Sequence, residues 1–246
     1  VSIKQAGILP DAYERRARLA PALLAIAPAS VVLVALGVAQ HPVIVSVIGF
    51  LSLTVAPVVL MTTVANAGRR AEKRLYQIWG GKPTALLIRA KSSDDASASQ
   101  RATWRAALER VTSITLHTPA QELADPVGAD EVIETAVGLV RHLSHDGEHP
   151  EIARENAHYG FERNTWGIRW VGRGMAVLGV CVIGVAQYAG WSRPDAMWIG
   201  MVVNSGLLLA WVFLPSKARV RAAAMRYGKQ LFNALARENT GPRTQT

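Results

Sequence analysis

Charged and apolar positions are segregated along this chain. From Leu19 to Gly68 there are 50 consecutive residues without Lys, Arg, Asp or Glu, and between Arg173 and Lys217 only Arg193 and Asp195 interrupt the apolar run. A helix crossing roughly 30 Å of hydrocarbon needs about 20 mainly apolar residues. Each run is long enough for two crossings, so the pattern predicts four spans, near residues 20–39, 43–65, 171–189 and 196–214. Gln40-His41-Pro42 supplies a tight reversal in the first hairpin (residues 20–65), and Gly190 to Asp195 a polar turn in the second (residues 171–214). The expected fold class is all-α: two transmembrane helical hairpins flanking a mostly helical domain.

Between the hairpins the period changes from uniformly apolar to amphipathic. Leu75, Ile78 and Trp79 recur at helical spacing and extend the second span as a helix, which Gly80-Gly81 should stop. Residues 82–89 are expected to be extended after Pro83, and residues 92–100 to form an exposed polar loop. Trp104, Leu108, Val111 and Leu116 suggest a helix ending at His117-Thr118-Pro119. Val132, Ile133, Val137, Val140 and Leu143 mark another after Pro126, reaching Ser144. A last helix starts near Pro150 and runs into the third span. After Pro215, Val220, Ala224, Tyr227, Leu231 and Leu235 share one face, with Arg219, Arg226, Lys229 and Arg237 opposite. This basic amphipathic tail, residues 215–246, either lies in the headgroup region or packs on the domain.

Basic residues then orient the arrangement, because Lys and Arg are retained on the cytoplasmic side. The segment 1–19 carries Lys4, Arg15, Arg16 and Arg18, whereas the two short turns carry Arg193 alone. Residues 67–170 hold fourteen bases and fourteen acids, and the tail after Leu214 holds seven bases against Glu238, for a net of +6. Both termini and the domain of residues 66–170 are therefore expected in the cytoplasm. The formal charge of +9 lies beside the spans, where topology and anionic headgroups account for it, which argues against nucleic acid as a partner. Arg15-Arg16 before an apolar run resembles a signal peptide. However, the run is longer than a signal core and a second apolar stretch follows at once. Cys181, the single cysteine, excludes an internal disulfide.

On a helix, Tyr159, Arg163, Trp166, Trp170 and Arg173 share a face. Trp166, Arg169, Trp170 and Arg173 read as an interfacial belt, since indole prefers headgroup depth and arginine can extend outward from a span. Farther along lie Glu155-Asn156-x-x-Tyr159-Gly160-Phe161-x-Arg163-Asn164. With Trp79-Gly80-Gly81-x-Pro83-Thr84, Arg89 and Asp11-x-Tyr13-x-Arg15-Arg16-x-Arg18-Leu19-x-Pro21, this pattern resembles a family of uncharacterised bacterial four-span membrane proteins. The resemblance covers nearly the whole chain. It implies two spans on each side of a cytoplasmic region, in the bacterial inner membrane, and it implies no chemistry.

Candidate chemistry is sparse. His142, His145 and His149 have the spacing of a weak metal site, although Gly147 and Pro150 place them at a helix end where polar residues commonly cap. No phosphate loop, zinc-protease pair or nucleophile elbow is present, so no cofactor is expected. The predicted span cores contain no acid or base, which argues against proton-coupled transport; Asn204 and Ser205 are expected to hydrogen-bond between helices. Trp79, Lys82, Thr84 and Arg89 from one motif, with Glu155, Tyr159, Arg163 and Asn164 from the other, form the candidate site. It would take an anionic ligand or a protein partner, unless Glu155 simply pairs with Arg89 or Arg163. The expected function is a membrane-bound binding or signalling module, homo-oligomeric, with a membrane-perturbing effector as one form of it. The other class is an enzyme using the same cluster at the bilayer surface.

Overall fold

The computed structural model describes residues 11–43, 46, 56–90, 95–141, 149–190 and 194–237. All regular elements among them are helical. The chain divides into two compact units: residues 1–72 with 160–217, and residues 73–159 with 218–246.

Among its described residues the first unit contains three helices long and apolar enough to cross a membrane: α1 (Ala12–Ala35), Arg169–Tyr188 and Asp195–Phe213. α1 starts at Asp11, whose side chain accepts the Glu14 N–H at 2.6 Å and so satisfies one orphan donor of the first turn. It stops at Ala35 rather than at 39, because Gly37 turns left-handed (φ +78°) and residues Val38–Gln40 form a 3-10 turn. α2 (Ala56–Trp79) follows. Of the expected second span, residues 43–65, positions 44–45 and 47–55 lie outside the described residues.

The three apolar helices are mutually packed, and small residues permit close approach. Ala22 and Ala25 of α1, Val64 of α2, Ile168 and Trp211 form one buried cluster, and Ala35, Ile183, Ala186 and Met197 form another. Gly172 lies beneath the Trp211 indole, where any Cβ would overlap the ring. Trp211 Nε1 donates to the Leu24 carbonyl at 3.3 Å. Burial covers only 22–28% of the three apolar windows, so most of their apolar surface faces outward. Leu23, Val34, Leu178, Val185, Ile199 and Val202 are among the exposed side chains. Such a surface suits a hydrocarbon solvent and not water.

The second unit is built from shorter helices. Gly80 and Gly81 (φ +76° and +146°) close α2, with the Gly81 N–H returning to the Tyr76 carbonyl at 2.9 Å. Residues 82–89, expected to be extended, instead contain helix α3 (Pro83–Ile88). Pro83 is pre-set for a first turn, and all six residues are buried, so a helix satisfies backbone groups that an extended segment would leave unpaired. The polar stretch expected as a loop ends at Ser97, which caps α4 (Ala98–Thr112) by accepting the Gln100 N–H. α4 stops before the expected His117, because Ser113 adopts φ +57° and the β-branched run after it leaves the helix.

Thr118 and Gln121 form a capping box for α5 (Pro119–Ala124). α6 (Pro126–Val140) buries Ala129, Ile133, Ala136, Val137 and Val140. The expected extension from residue 142 to Ser144 lies outside the described residues.

α7 (Pro150–Gly167) meets α8 (Arg169–Tyr188) at Ile168 (φ −100°), so the expected run-through carries a one-residue break. α9 (Pro194–Phe213) and α10 (Lys217–Arg237) complete the chain. Val220, Ala224, Tyr227, Leu231 and Leu235 of α10 are buried, as their periodicity requires. The tail packs into the second unit: Phe232 lies against Trp104 at 5.6 Å between ring centroids, and Trp104 Nε1 donates to Asn233 at 3.0 Å. That selects the packed alternative over a tail lying in headgroups.

Candidate functional site

In the second unit, the two residues that flank α3 and two residues of α6 carry complementary charges in opposite order. Lys82 pairs with Glu134, and Arg89 pairs with Asp130 through both Nε and Nη2, with Nε to Oδ1 at 2.6 Å. Asp130 and Glu134 are one helical turn apart, so an antiparallel approach places both opposite the two cations. Arg89 also donates from Nη1 to the Gly80 carbonyl at 3.0 Å, which ties the end of α3 to the glycine turn. The hydrogen bond to Asp130 raises the Arg89 pKa above its ordinary value; burial pulls the other way, and the negative charges of Asp130 and Glu122 add to the rise.

Deeper in this unit, Arg105 pairs with Glu122 at 2.6 Å, with the two side chains only 14% and 10% exposed. Arg105 also donates to the carbonyls of Ile88 and His117, while Glu122 accepts the Ala90 N–H at 2.8 Å. One ion pair thus satisfies backbone groups left open between helices.

The other predicted residues of this unit are mainly packing groups. Trp79 lies 6.2 Å from the Tyr76 ring, and the Tyr76 and Tyr159 hydroxyls are 3.2 Å apart. Tyr159 stacks on Tyr227 at 6.4 Å with planes 8° apart. Thr84 is buried beside Gly228, where a Cβ would stand 2.7 Å from Leu87 and 3.5 Å from Thr84. Glu155 pairs with Arg226 at 3.3 Å, and not with Arg89 or Arg163 as the sequence suggested.

Arg163 and Asn164 belong to the first unit. Arg163 pairs with Glu72 at 3.4 Å, and both side chains are largely buried. Asn164 is fully buried, and its Nδ2 donates to the Ala17 carbonyl at 2.6 Å. Ala17 lies within a π-helical turn, Arg15–Leu19, where the widened turn makes carbonyls available to side chains. The Asn164 amide occupies the space a Cβ on Gly68 would need, and a Cβ on Gly160 would come within 2.7 Å of the Ala17 methyl. The Asp11 and Glu155 motifs therefore meet through Ala17, Gly160 and Asn164 as a packed helix junction.

At the α7–α8 joint the interfacial residues stack. The Arg169 guanidinium lies 3.7 Å from the Trp166 ring centroid and 5.6 Å from that of Trp170, with Arg173 4.7 Å from Trp170 on the next turn. Arg173 donates to the carbonyls of Trp211 and Val212 at 3.0 and 3.2 Å, closing the C-terminal end of α9.

The eight candidate residues thus divide, six in the second unit and Arg163 and Asn164 in the first. A hollow of about 430 Å³ opens beside α6, lined by Lys82, Glu131, Glu134, Thr135, Gly138 and Arg141. Of the candidate set it includes Lys82 alone. Asp130 and Glu134 escaped the sequence reading, although their spacing of four on an amphipathic helix could have marked them as partners for cations. His142 and His145 lie outside the described residues, and no group of three metal-ligating side chains occurs among those described. No family model, curated protein or solved structure matches the chain.

Proposed function

We propose that the chain is an integral membrane module of four spans, with both termini and its charged helical unit in the cytoplasm of a bacterium, at the inner membrane. It serves as a homo-oligomeric binding or signalling device that couples the helical unit to the bilayer and perturbs it when triggered. One observation carries this reading: α2 and α7 each have residues in both units, so the apolar and charged units share continuous helices. A hydrogen-bonded helix transmits a rotation or axial shift along its length better than a flexible linker does. The outward apolar surface of the three long helices supports placement in lipid, and residues 43–65 supply a fourth apolar segment.

The trigger is an anionic ligand or protein partner acting on the Trp79, Lys82, Thr84, Arg89, Glu155 and Tyr159 elements of the second unit. The test uses the full chain in dye-loaded vesicles, fused at its C-terminus to an inducible dimeriser. Dye release on clustering supports the coupling reading. Intact vesicles around correctly inserted, clustered protein contradict it. The enzymatic alternative instead predicts a turnover that Arg89→Ala abolishes while assembly persists.

A further inference from the structure

Pro21 and Pro28 both stand inside α1, and both are buried. A proline within a helix has no N–H and crowds the carbonyl four residues earlier, so Ala17 and Leu24 lose their helical donors. These are the two carbonyls that other helices reach. Asn164 of α7 donates to Ala17 at 2.6 Å, and Trp211 of α9 donates to Leu24 at 3.3 Å. Ala17 and Leu24 are about two turns apart, which opens both carbonyls on one side of α1. Each donor is also seated on a glycine: a Cβ at Gly68 would overlap the Asn164 amide, and one at Gly172 would overlap the Trp211 ring. The widened turn Arg15–Leu19 lies just before Pro21, where the helical ladder is already interrupted.

We propose that α1 is a hinged helix held by two latches: Asn164 and Trp211 supply the hydrogen bonds that the prolines remove, and release of either lets α1 bend at the corresponding proline. Packing alone would call for apolar contacts at these points; it would not set two donors on the two proline-freed carbonyls. In hydrocarbon no water replaces a released donor, so each latch holds firmly until another helix moves. Asn164 belongs to α7, which also has residues in the second unit, so a shift of α7 along its axis acts on the first latch directly. The hinge stands on these bonds alone, whereas its use as the moving part of the coupling rests on the function proposed above.

The experiment is amide hydrogen exchange of the full chain in detergent micelles, read by mass spectrometry on peptides of α1, α8 and α9. Trp211→Phe keeps an aromatic ring and removes the N–H. It should speed exchange in residues 22–35 about tenfold relative to α8, the scale of one hydrogen bond. Pro28→Ala returns an N–H to the Leu24 carbonyl, so Trp211→Phe combined with Pro28→Ala should exchange as slowly as wild type. Asn164→Leu should act most strongly on residues 12–20 and be rescued by Pro21→Ala. Unchanged exchange in Trp211→Phe would overturn the latch. So would faster exchange spread evenly over α1, α8 and α9, or failure of Pro28→Ala to rescue Trp211→Phe, which would reduce Trp211 to a packing group. Dye-loaded vesicles separate the hinge from its use: vesicles that stay tight around inserted Trp211→Phe chains whose α1 exchanges fast would contradict the membrane-perturbing function while the exchange result upholds the hinge.

Discussion

The Asn164 side chain donates to the Ala17 carbonyl at 2.6 Å across 147 residues of sequence, joining α7 to the π turn of α1 in a fully buried position. The bond satisfies a backbone acceptor freed by the wide turn, and Gly68 makes room for it. Asn164→Leu removes the donor and leaves the acceptor buried. The expected loss is about 2 kcal/mol, within the range for an unsatisfied buried polar group. Thermal unfolding of the full chain in detergent should show a lower midpoint, with Gly68→Ala lowered as well; an unchanged midpoint in both would remove the junction from the account.

The Arg105–Glu122 pair behaves differently from a surface ion pair, because both partners are largely buried and bond to backbone. Removing one partner strands the other, at a cost of roughly 3–5 kcal/mol. Arg105→Met and Glu122→Leu should each destabilise more than half as much as the double variant. A double-mutant cycle checks this, and strictly additive losses would argue against coupling.

Arg89 and Asp130 provide a test of register. Exchanging them, Arg89→Asp with Asp130→Arg, should recover a substantial part of the stability lost in either single variant, because the antiparallel approach of α3 and α6 keeps the charges opposed. Recovery is read from denaturation midpoints. Losses that simply add would mean that the Arg89 bond to the Gly80 carbonyl, which aspartate cannot make, dominates.

Asn204 runs against the expectation of interhelical hydrogen bonding. It is fully buried against Gly179, and neither amide atom has a hydrogen-bond partner among the described residues. A buried amide without partners is costly. Asn204→Leu, similar in volume, should therefore raise the unfolding midpoint in detergent, by about 1–2 kcal/mol in stability. A lowered midpoint would show that the amide makes a favourable interaction in the assembled protein.

How far the sequence revealed this structure depended on whether a feature is local. The long apolar helices were legible because membrane-length hydrophobicity is a property of one segment, and the buried face of α10 because its period lies within one helix. α3 was not legible: six residues carry too little period, and proline suggests extension until burial decides for a helix. Partner choice was equally hidden. Nothing along the chain shows that Glu155 meets Arg226 or that Arg163 meets Glu72, since each pairing depends on which helices pack. The Asn164 motif was visible as a cluster, but its role needed the π turn and the distant Gly68.

The proposed function places both apolar pairs in the membrane with the charged helical unit on the cytoplasmic side. The most direct measurement is labelling of single cysteines by a membrane-impermeant maleimide, in a Cys181→Ser background, in intact and then permeabilised cells. Cysteines at Ser99 and Thr135 should label only after permeabilisation, whereas one at Ser192 in the second turn should label in intact cells. Labelling of Ser99 and Thr135 from outside, or recovery of the chain in the soluble fraction, would contradict the account.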